Sequence, residues 1–502
     1  MRKVLLIWCV LALAAVLLFT MACTSTTDEK PAEATDEKLA ETTDEEPAKE
    51  ETVIHFVGSV SVEPQAAPVG SSLTISGTGF SSGESYDLVW QTVEGSYDIR
   101  GDYLEEYHGR VFEEVTYIIA TVSTDTSGSF DETITVPEDY GFIHNITVEQ
   151  NGEVLNRAGF SIVPTVTISP TSGPLGTPIT VTMNGIGWAR MENSWTLMYD
   201  NKYTGLLSAV TTKGTAKAVI PATGGTGGHI LKILHGAYQY PYLNTEQNPR
   251  PDQPVITKQF TITEGTAVLP PAAEDQGFSV VSGTTPADTG KPVLWTDPTT
   301  GPIETPTTLH GKGFTPGQEL DFLWYRVVGN RVSGSGWDET SLELGTATVQ
   351  ADGSISLAFV TPDDLGGDHR IEAISGGDKI TETAFVIKPS ISALDVSSGP
   401  VGTELTINIK GVGWTETANI YHLVYDNGYL GYACGFNSQG DITLYLPLTG
   451  QPGWHYIDLY PGIYKGKEAG GVQNFRIPQL TYQDDHPGEE LPAFRFAVLV
   501  TE

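Results

Sequence analysis

The sequence predicts an all-β protein, and three features carry that prediction. Its 55 glycines and 31 prolines, with many Val, Ile, Thr and Tyr residues, are typical of short strands separated by tight turns. Beyond the N-terminal region, no long segment shows the 3.6-residue apolar period of a helix. The third feature is an internal repeat, which divides the chain into domains.

The repeat relates two unlike domains to two later copies. Residues 79–90 and 313–324 share their glycines, Phe, Asp and Trp at an offset of 234 residues. Residues 172–188 and 398–414 share Ser-Gly-Pro and Gly-x-Gly-Trp at an offset of 226. Such self-similarity indicates repeated structural units. We therefore predict a duplicated pair of domains in the order first, second, first, second.

All four domains share a common plan. Alternating apolar and polar residues, as in Leu73-Thr74-Ile75-Ser76, predict half-buried strands. Polar turns containing glycine separate strand-like runs, and a histidine opens the next strand in each domain: His144, His229, His369 and His455. Short strands, frequent turns and about 100 residues per unit predict antiparallel β-sandwiches.

The opening strands carry a resemblance to a known family. The pattern Pro-Val-Gly-x-x-Leu-Thr-Ile-x-Gly-x-Gly-Phe at residues 68–80 has counterparts beginning at Pro174 and Pro400. It resembles bacterial immunoglobulin-like domains of the IPT/TIG type found in extracellular proteins. The third domain departs from it at residues 305–310. The resemblance implies four tandem immunoglobulin-like β-sandwiches.

The predicted boundaries follow from the repeat and from proline-rich segments. We expect stiff Pro joints at 163–164 and 388–389. The predicted units are sandwiches at 53–164, 165–264, 278–388 and 389–502, and a linker at 265–277. An insertion of about nine residues relative to the third domain lies within residues 97–108 and predicts a longer loop or hairpin. Residues 484–502 predict a terminal strand docked on the fourth domain.

The N-terminus predicts export and a membrane anchor. Arg2 and Lys3 precede sixteen apolar residues at 4–19, a run shorter than a spanning helix and close to a signal peptide. Thr20-Met21-Ala22-Cys23 resembles a bacterial lipobox, which implies cleavage after residue 22 and acylation of Cys23. An uncleaved membrane helix is the alternative. Either reading places the protein on the outer face of the cell membrane.

Residues 24–52 predict a disordered stalk, because eleven acids, three lysines and few apolar residues cannot form a core. The whole chain carries a net charge of −35, which excludes nucleic acid as a partner. We expect membrane attachment through the lipid, and a cell-wall glycan or another surface protein as the partner.

Catalytic motifs are absent from the sequence, so we predict no enzyme activity. The four strand-opening histidines belong to separate domains, and we expect each to hydrogen-bond a neighbouring turn rather than bind metal. Cys434 is expected to be a small apolar residue in a strand. We predict no cofactor. Structural calcium is the metal that the acidic clusters of the chain could bind, although none has the spacing of an EF-hand loop. These clusters are Asp125, Asp131 and Glu132; Asp363, Asp364 and Asp368; and Asp484, Asp485, Glu489 and Glu490.

Two related tyrosine motifs are the candidate ligand-binding residues. They comprise Tyr199, Asp200, Asn201 and Tyr203 in the second domain, and Tyr425, Asp426, Asn427 and Tyr429 in the fourth. One interpretation is a hairpin turn flanked by packed tyrosines. The other is an aromatic platform for sugar rings, with Asp and Asn bonding hydroxyl groups. We expect Tyr199 and Tyr425 to pack and Tyr203 and Tyr429 to be exposed.

The sequence as a whole predicts a stalked string of four sandwiches that binds a partner or builds the cell envelope without catalysis. A carbohydrate-binding lipoprotein is the first alternative. An enzyme with a site between domains is the second.

Overall fold

The computed structural model describes residues 56–502 except 102–105, 190, 238–239, 249, 251–252, 278–279, 288, 331–335, 436–438, 464–477 and 489–490. The signal segment, Cys23 and the acidic stalk therefore lie outside the described residues. The described chain consists of strands, joined by turns and two short 3-10 helices.

The first sandwich packs a three-stranded sheet on a five-stranded sheet. Its strands are β1 (Ser59–Glu63), β2 (Ala66–Ala67), β3 (Ser72–Thr78), β4 (Ser85–Arg100), β5 (Glu106–Ser123), β6 (Phe130–Thr135), β7 (Phe142–Gln150) and β8 (Glu153–Ile162). The strand orders are β1-β3-β6 and β2-β8-β7-β4-β5. Leu73, Ile75 and Trp90 are buried between the two sheets. The alternation at 73–76 thus gives the expected strand, with one face in the core.

The second sandwich has a larger main sheet. Its elements are β9 (Thr165–Ser169), β10 (Ser172–Gly173), β11 (Pro178–Asn184), β12 (Trp195–Tyr199), β13 (Lys202–Leu207), β14 (Ala216–Pro221), β15 (Gly227–Ala237), β16 (Tyr240–Pro241), the 3-10 helix Thr245–Gln247 and β17 (Ile256–Ile262). Strands β14-β11-β9 form the small sheet. The large sheet has the order β10-β17-β15-β12-β13, with β16 paired to β15.

The third sandwich repeats the topology of the first. After a 3-10 helix at Ala273–Asp275 come β18 (Val293–Asp297), β19 (Thr300–Gly301), β20 (Pro306–Lys312), β21 (Glu319–Asn330), β22 (Gly336–Thr348), β23 (Ile355–Val360), β24 (Gly367–Ser375) and β25 (Asp378–Ile387). The strand orders are β18-β20-β23 and β19-β25-β24-β21-β22. Despite its divergent opening pattern, residues 306–312 form the strand that the other domains have at this place.

The fourth sandwich completes the duplication. Its strands are β26 (Ser390–Ile391), β27 (Ser398–Pro400), β28 (Glu404–Lys410), β29 (Ile420–Tyr425), β30 (Gly428–Cys434), β31 (Ile442–Pro447), β32 (Gly453–Gly462) and β33 (Phe494–Thr501). The strand orders are β26-β28-β31 and β27-β33-β32-β29-β30. The predicted terminal strand is confirmed, because β33 pairs with β32 and β27. The predicted fold class, tandem immunoglobulin-like β-sandwiches, is also confirmed.

The extra segment of the first sandwich is a hairpin extension, as predicted. Strands β4 and β5 span 16 and 18 residues, against 12 and 13 for β21 and β22 of the third sandwich. Their pairing continues to Arg100 and Glu106. The additional length carries the hairpin away from its own sandwich.

A glycine-rich joint connects the two members of each pair. The amide of Gly141 donates to the carbonyl of Ile186 at 3.1 Å, and Gly366 donates to Val412 at the same distance. A Cβ at Gly141 would lie 1.8 Å from the carbonyl oxygen of Gly185. The Gly-x-Gly-Trp motif thus forms a close backbone contact between domains, beside the expected Pro joint.

The sandwiches also make contacts between domains that are distant in sequence. Val424 and Tyr460 of the fourth sandwich pack into the core of the second, together with Leu480. Two backbone hydrogen bonds join β13 to the segment before β33. The amide of Leu206 donates to the carbonyl of Pro478 at 2.8 Å, and the amide of Leu480 donates to the carbonyl of Leu206 at 2.9 Å. The segment before β33 therefore lies along the edge of the second sandwich.

The close backbone contact at Gly141 can be tested by substitution. We expect Gly141→Ala to lower the free energy of unfolding by about 1–3 kcal/mol, because the added methyl group meets backbone that cannot move aside. Gly159→Ala is the matched control, since nothing lies within 4 Å of a Cβ at that position in β8. Urea unfolding of both variants measures the difference. Equal stability of the two variants would contradict the proposed joint.

Candidate functional site

Each of the four strand-opening histidines makes the same kind of hydrogen bond to the preceding turn, as predicted. In each, Nε2 lies 2.7–2.9 Å from the carbonyl oxygen of the residue four positions earlier, at Tyr140, Gly225, Leu365 or Gln451. Each histidine therefore closes the turn that precedes its strand. The imidazoles are structural parts of four separate sandwiches.

In the first and third sandwiches, the histidine also lies between two tryptophans. The ring of His144 stacks on Trp90 at 4.6 Å between centroids and contacts Trp188 of the second sandwich at 5.1 Å. His369 repeats this arrangement with Trp324 at 4.5 Å and Trp414 at 5.5 Å. Burial is the main influence on His369, and it lowers the pKa of that imidazole. The tryptophan of each Gly-x-Gly-Trp motif thus belongs to the joint between domains.

In the second sandwich, the tyrosine motif forms a hairpin turn that supports the histidine. Asp200 and Asn201 have φ values of 47° and 64°, the left-handed conformation required at both central positions of a type I′ turn. The Asp200 carboxylate contacts Nδ1 of His229 at 2.5 Å and accepts the amide of Ile230 at 2.9 Å. Tyr199 is buried, stacks on His229 and donates its hydroxyl to the carbonyl of Thr223 at 3.0 Å.

The fourth sandwich repeats this geometry. Asp426 and Asn427 have φ values of 46° and 59°. Asp426 contacts Nδ1 of His455 at 2.6 Å, and this hydrogen bond raises the pKa of His455. Tyr425 stacks on His455 and donates to the carbonyl of Thr449 at 2.7 Å. The expected packing of Tyr199 and Tyr425 is confirmed, and the carboxylates of Asp200 and Asp426 are hydrogen-bonded within their own domains.

Tyr203 and Tyr429 are not exposed, contrary to the expectation from the sequence. The two rings are half-buried and meet edge to face across the contact between the second and fourth sandwiches, with centroids 6.2 Å apart. Burial raises the pKa of the Tyr203 hydroxyl well above its ordinary value. The period-two pattern of a strand identifies its two faces but does not show that another domain covers one of them.

Asn427 joins the same two sandwiches through polar contacts. Its side chain is fully buried and donates to the carbonyl of Pro221 at 2.8 Å and to Oγ1 of Thr223 at 3.0 Å. The carbonyl of Asn427 accepts the Thr204 hydroxyl at 2.8 Å, and Lys202 donates to the carbonyl of Asp426 at 3.1 Å. The two motifs are thus brought together as an interface between domains. Sugar binding by the motif residues stays a prediction.

Asp485, expected only as a member of an acidic cluster, forms a buried polar centre. Its buried carboxylate accepts the hydroxyl of Ser208 at 2.6 Å, the amide of Val210 at 3.0 Å, and both the amide and hydroxyl of Thr211 at 2.9 and 3.0 Å. Tyr97, on the extended hairpin of the first sandwich, donates to it at 3.0 Å. This carboxylate links the segment before β33 to the first and second sandwiches.

The remaining acidic clusters also make local contacts. Asp125 accepts hydrogen bonds from Ser127 and Ser129 of its own turn, which lower the pKa of its carboxyl group. Asp364 accepts the indole of Trp324 at 3.2 Å. Glu489 and Glu490 lie outside the described residues. In the part of the chain that the structure describes, no three His, Cys, Asp or Glu side chains converge on a common point where a metal ion would fit. Bound calcium stays a prediction.

Cys434 lies half-buried at the end of β30. Across residues 56–502, outside the gaps given above, no helix is long and apolar enough to cross a membrane.

Comparisons with known proteins do not assign a family. No protein-family model matches the sequence, and no curated protein matches it. Among solved structures, a Salmonella alpha-2-macroglobulin mutant is 11% identical, with a TM-score of 0.17, and the match covers 89% of this chain and 31% of that one. The Yersinia pseudotuberculosis adhesin InvE is 16% identical, with a TM-score of 0.16, covering 45% of this chain and 58% of that one. An ICAM-5 D1–D4 ectodomain fragment is 12% identical, with a TM-score of 0.17, and the match covers 88% of this chain and 99% of that one. At these scores the likenesses carry no functional argument.

The contact between the tyrosine motifs can be tested by truncation. We expect Tyr203→Ala to lower the free energy of unfolding by more than about 1 kcal/mol, because it removes a packed aromatic ring between two domains. Tyr445→Ala is the control, because that tyrosine is 67% exposed, and a change within about 0.5 kcal/mol is expected. Thermal or urea unfolding gives both values. A Tyr203→Ala variant as stable as the control would favour the sugar-platform interpretation.

Proposed function

We propose that this chain is an exported, non-catalytic surface protein that is anchored to the outer face of the cell membrane through acyl chains on Cys23. The order of segments carries the proposal: a positively charged start, sixteen apolar residues, a lipobox-like tetrapeptide, an acid-rich segment, and then four immunoglobulin-like sandwiches. The acid-rich segment would hold the sandwiches away from the membrane.

The role proposed for the sandwiches is binding or adhesion at the cell surface. The partner is a cell-wall glycan or another surface protein. Nucleic acid is disfavoured by the net charge of −35, since phosphate binding depends on Lys and Arg. Loops and clefts between rigid sandwiches are the places where such proteins carry their contacts. In support of a non-catalytic role, the histidines and aspartates that would be candidates for catalysis are hydrogen-bonded within turns and joints.

Substitution of the anchor residue tests the localisation. We expect Cys23→Ser to release the protein from the membrane fraction or to leave its precursor uncut, because two acyl chains are needed for stable attachment. Cys9→Ser, within the apolar run, should leave attachment and mature mass unchanged. Cell fractionation and intact-mass measurement report both properties. Unchanged attachment and unchanged mass in Cys23→Ser would refute lipidation and favour an uncleaved helix.

A further inference from the structure

A cleft of about 380 Å³ lies between the second and fourth sandwiches, apart from the tyrosine turns. One wall is β14 of the second sandwich. The other comprises β32, β33 and the segment before β33, and the residues that define its chemistry are Lys217, Val219, Asp458, Tyr460, Asp484 and Arg495. The volume lies within the range of small-molecule sites, which commonly form between domains.

A buried carboxylate lines this cleft. Asp458 is 2% exposed, and its Oδ1 accepts Nε of Arg495. Its second oxygen, Oδ2, is buried and has no hydrogen-bond partner within the described chain. Burial raises the pKa of Asp458, while Arg495 opposes that shift. The carboxylate therefore acts on the cleft through Arg495, whose guanidinium it holds in place.

Arg495 is held in place by contacts from both sandwiches. Its Nη2 donates to the carbonyl of Val219 at 3.0 Å and lies 3.5 Å from the hydroxyl of Tyr460. Its backbone amide donates to Oε1 of Gln276 at 2.7 Å. A guanidinium fixed in this way is a preorganised donor, which reduces the entropy lost when a ligand binds.

The charges around the cleft cancel, in contrast to the acidic chain as a whole. Lys217 and Arg495 face Asp458 and Asp484 across a lining that includes buried apolar side chains such as Phe494. An anionic ligand would meet the two carboxylates, and a cationic ligand would meet the lysine and the guanidinium. A neutral ring with hydroxyl groups on its edge and apolar C–H groups on its faces satisfies both the polar and the apolar lining.

We propose that this cleft binds a sugar residue of a neutral glycan. The exposed Asp484 accepts a sugar hydroxyl, Arg495 and Lys217 donate to sugar oxygens, and the apolar lining contacts the C–H surface of the ring. The inference rests on the proposed surface role, which exposes the protein to glycans. It is tested on purified protein, so failure of lipidation at Cys23 would not affect the result.

The experiment blocks the cleft with a bulky side chain. Val219 is 39% exposed on β14, so Val219→Trp places an indole in the opening without replacing a core residue. Val255→Trp is the matched control, at a valine of the same sandwich that is 43% exposed and does not line the cleft. The full-length proteins are applied to an array of neutral, acidic and amino-sugar oligosaccharides, and binding to the best neutral glycan is titrated. Lys217→Ala provides a second variant at the rim.

We expect the unmodified protein to bind a neutral glycan, Val219→Trp to weaken that binding at least tenfold, and Val255→Trp to leave it unchanged. Lys217→Ala should weaken binding with an unchanged thermal melt, which keeps the test valid if Val219→Trp does not fold. Three results would overturn the proposal: no binding to any neutral glycan, binding only to charged probes, or neutral-glycan binding that survives both cleft substitutions. Loss of that binding in Tyr203→Ala alone would instead place the site at the tyrosine motifs.

Discussion

One buried carboxylate joins the first and second sandwiches to the segment before β33 of the fourth. Asp485 accepts five hydrogen bonds, one from the first sandwich through Tyr97 and four from residues 208–211 of the second. Hydrogen bonds to a charged acceptor are stronger than neutral ones, and a buried charge is tolerated only when it is well satisfied. Burial raises the pKa of the Tyr97 hydroxyl well above its ordinary value, which favours its role as a donor. The segment that carries Asp485 thereby connects domains that are far apart in sequence.

Other features of the chain fit this constraint. The extended β4–β5 hairpin brings Tyr97 to Asp485, and the amide of Tyr107 donates to Glu416 of the fourth sandwich at 2.8 Å. The third sandwich has a shorter hairpin at the equivalent place. Segment 478–480 extends the sheet of the second sandwich beyond β13. Covering an edge strand in this way removes a site at which unrelated chains could pair.

Much of the fold within each domain could be predicted from the sequence, because the signals are local. Alternation at Leu73 and Ile75 identifies a strand with one buried face, and the repeated histidine marks the start of a strand. Asp200 and Asn201 are suited to the left-handed turn that they form. These features depend on neighbouring residues, so a single sequence contains enough information for them.

The contacts between domains could not be predicted in the same way. The residues around Tyr203 and Tyr429 do not show from the sequence that these rings are covered. The rings are buried only because the second and fourth sandwiches face each other there. The two copies also differ at this contact: at the offset of 226 residues, Lys232 and Leu234 correspond to Asp458 and Tyr460. That difference is a signal, because duplicated domains with similar cores diverge where their surroundings differ. The sequence difference alone does not identify which surface of the other sandwich packs against these residues.

The most direct test of this account is whether the two halves of the chain bind each other when they are produced separately. Residues 54–264 and 265–502 contain one pair of sandwiches each, and their mixture can be analysed by size-exclusion chromatography with light scattering. The contacts of Asp485 and of the tyrosine motifs predict a 1:1 complex that is weakened by Asp485→Asn in the second fragment. Two folded fragments that remain separate at micromolar concentration would contradict the closed arrangement and favour a string of independent pairs.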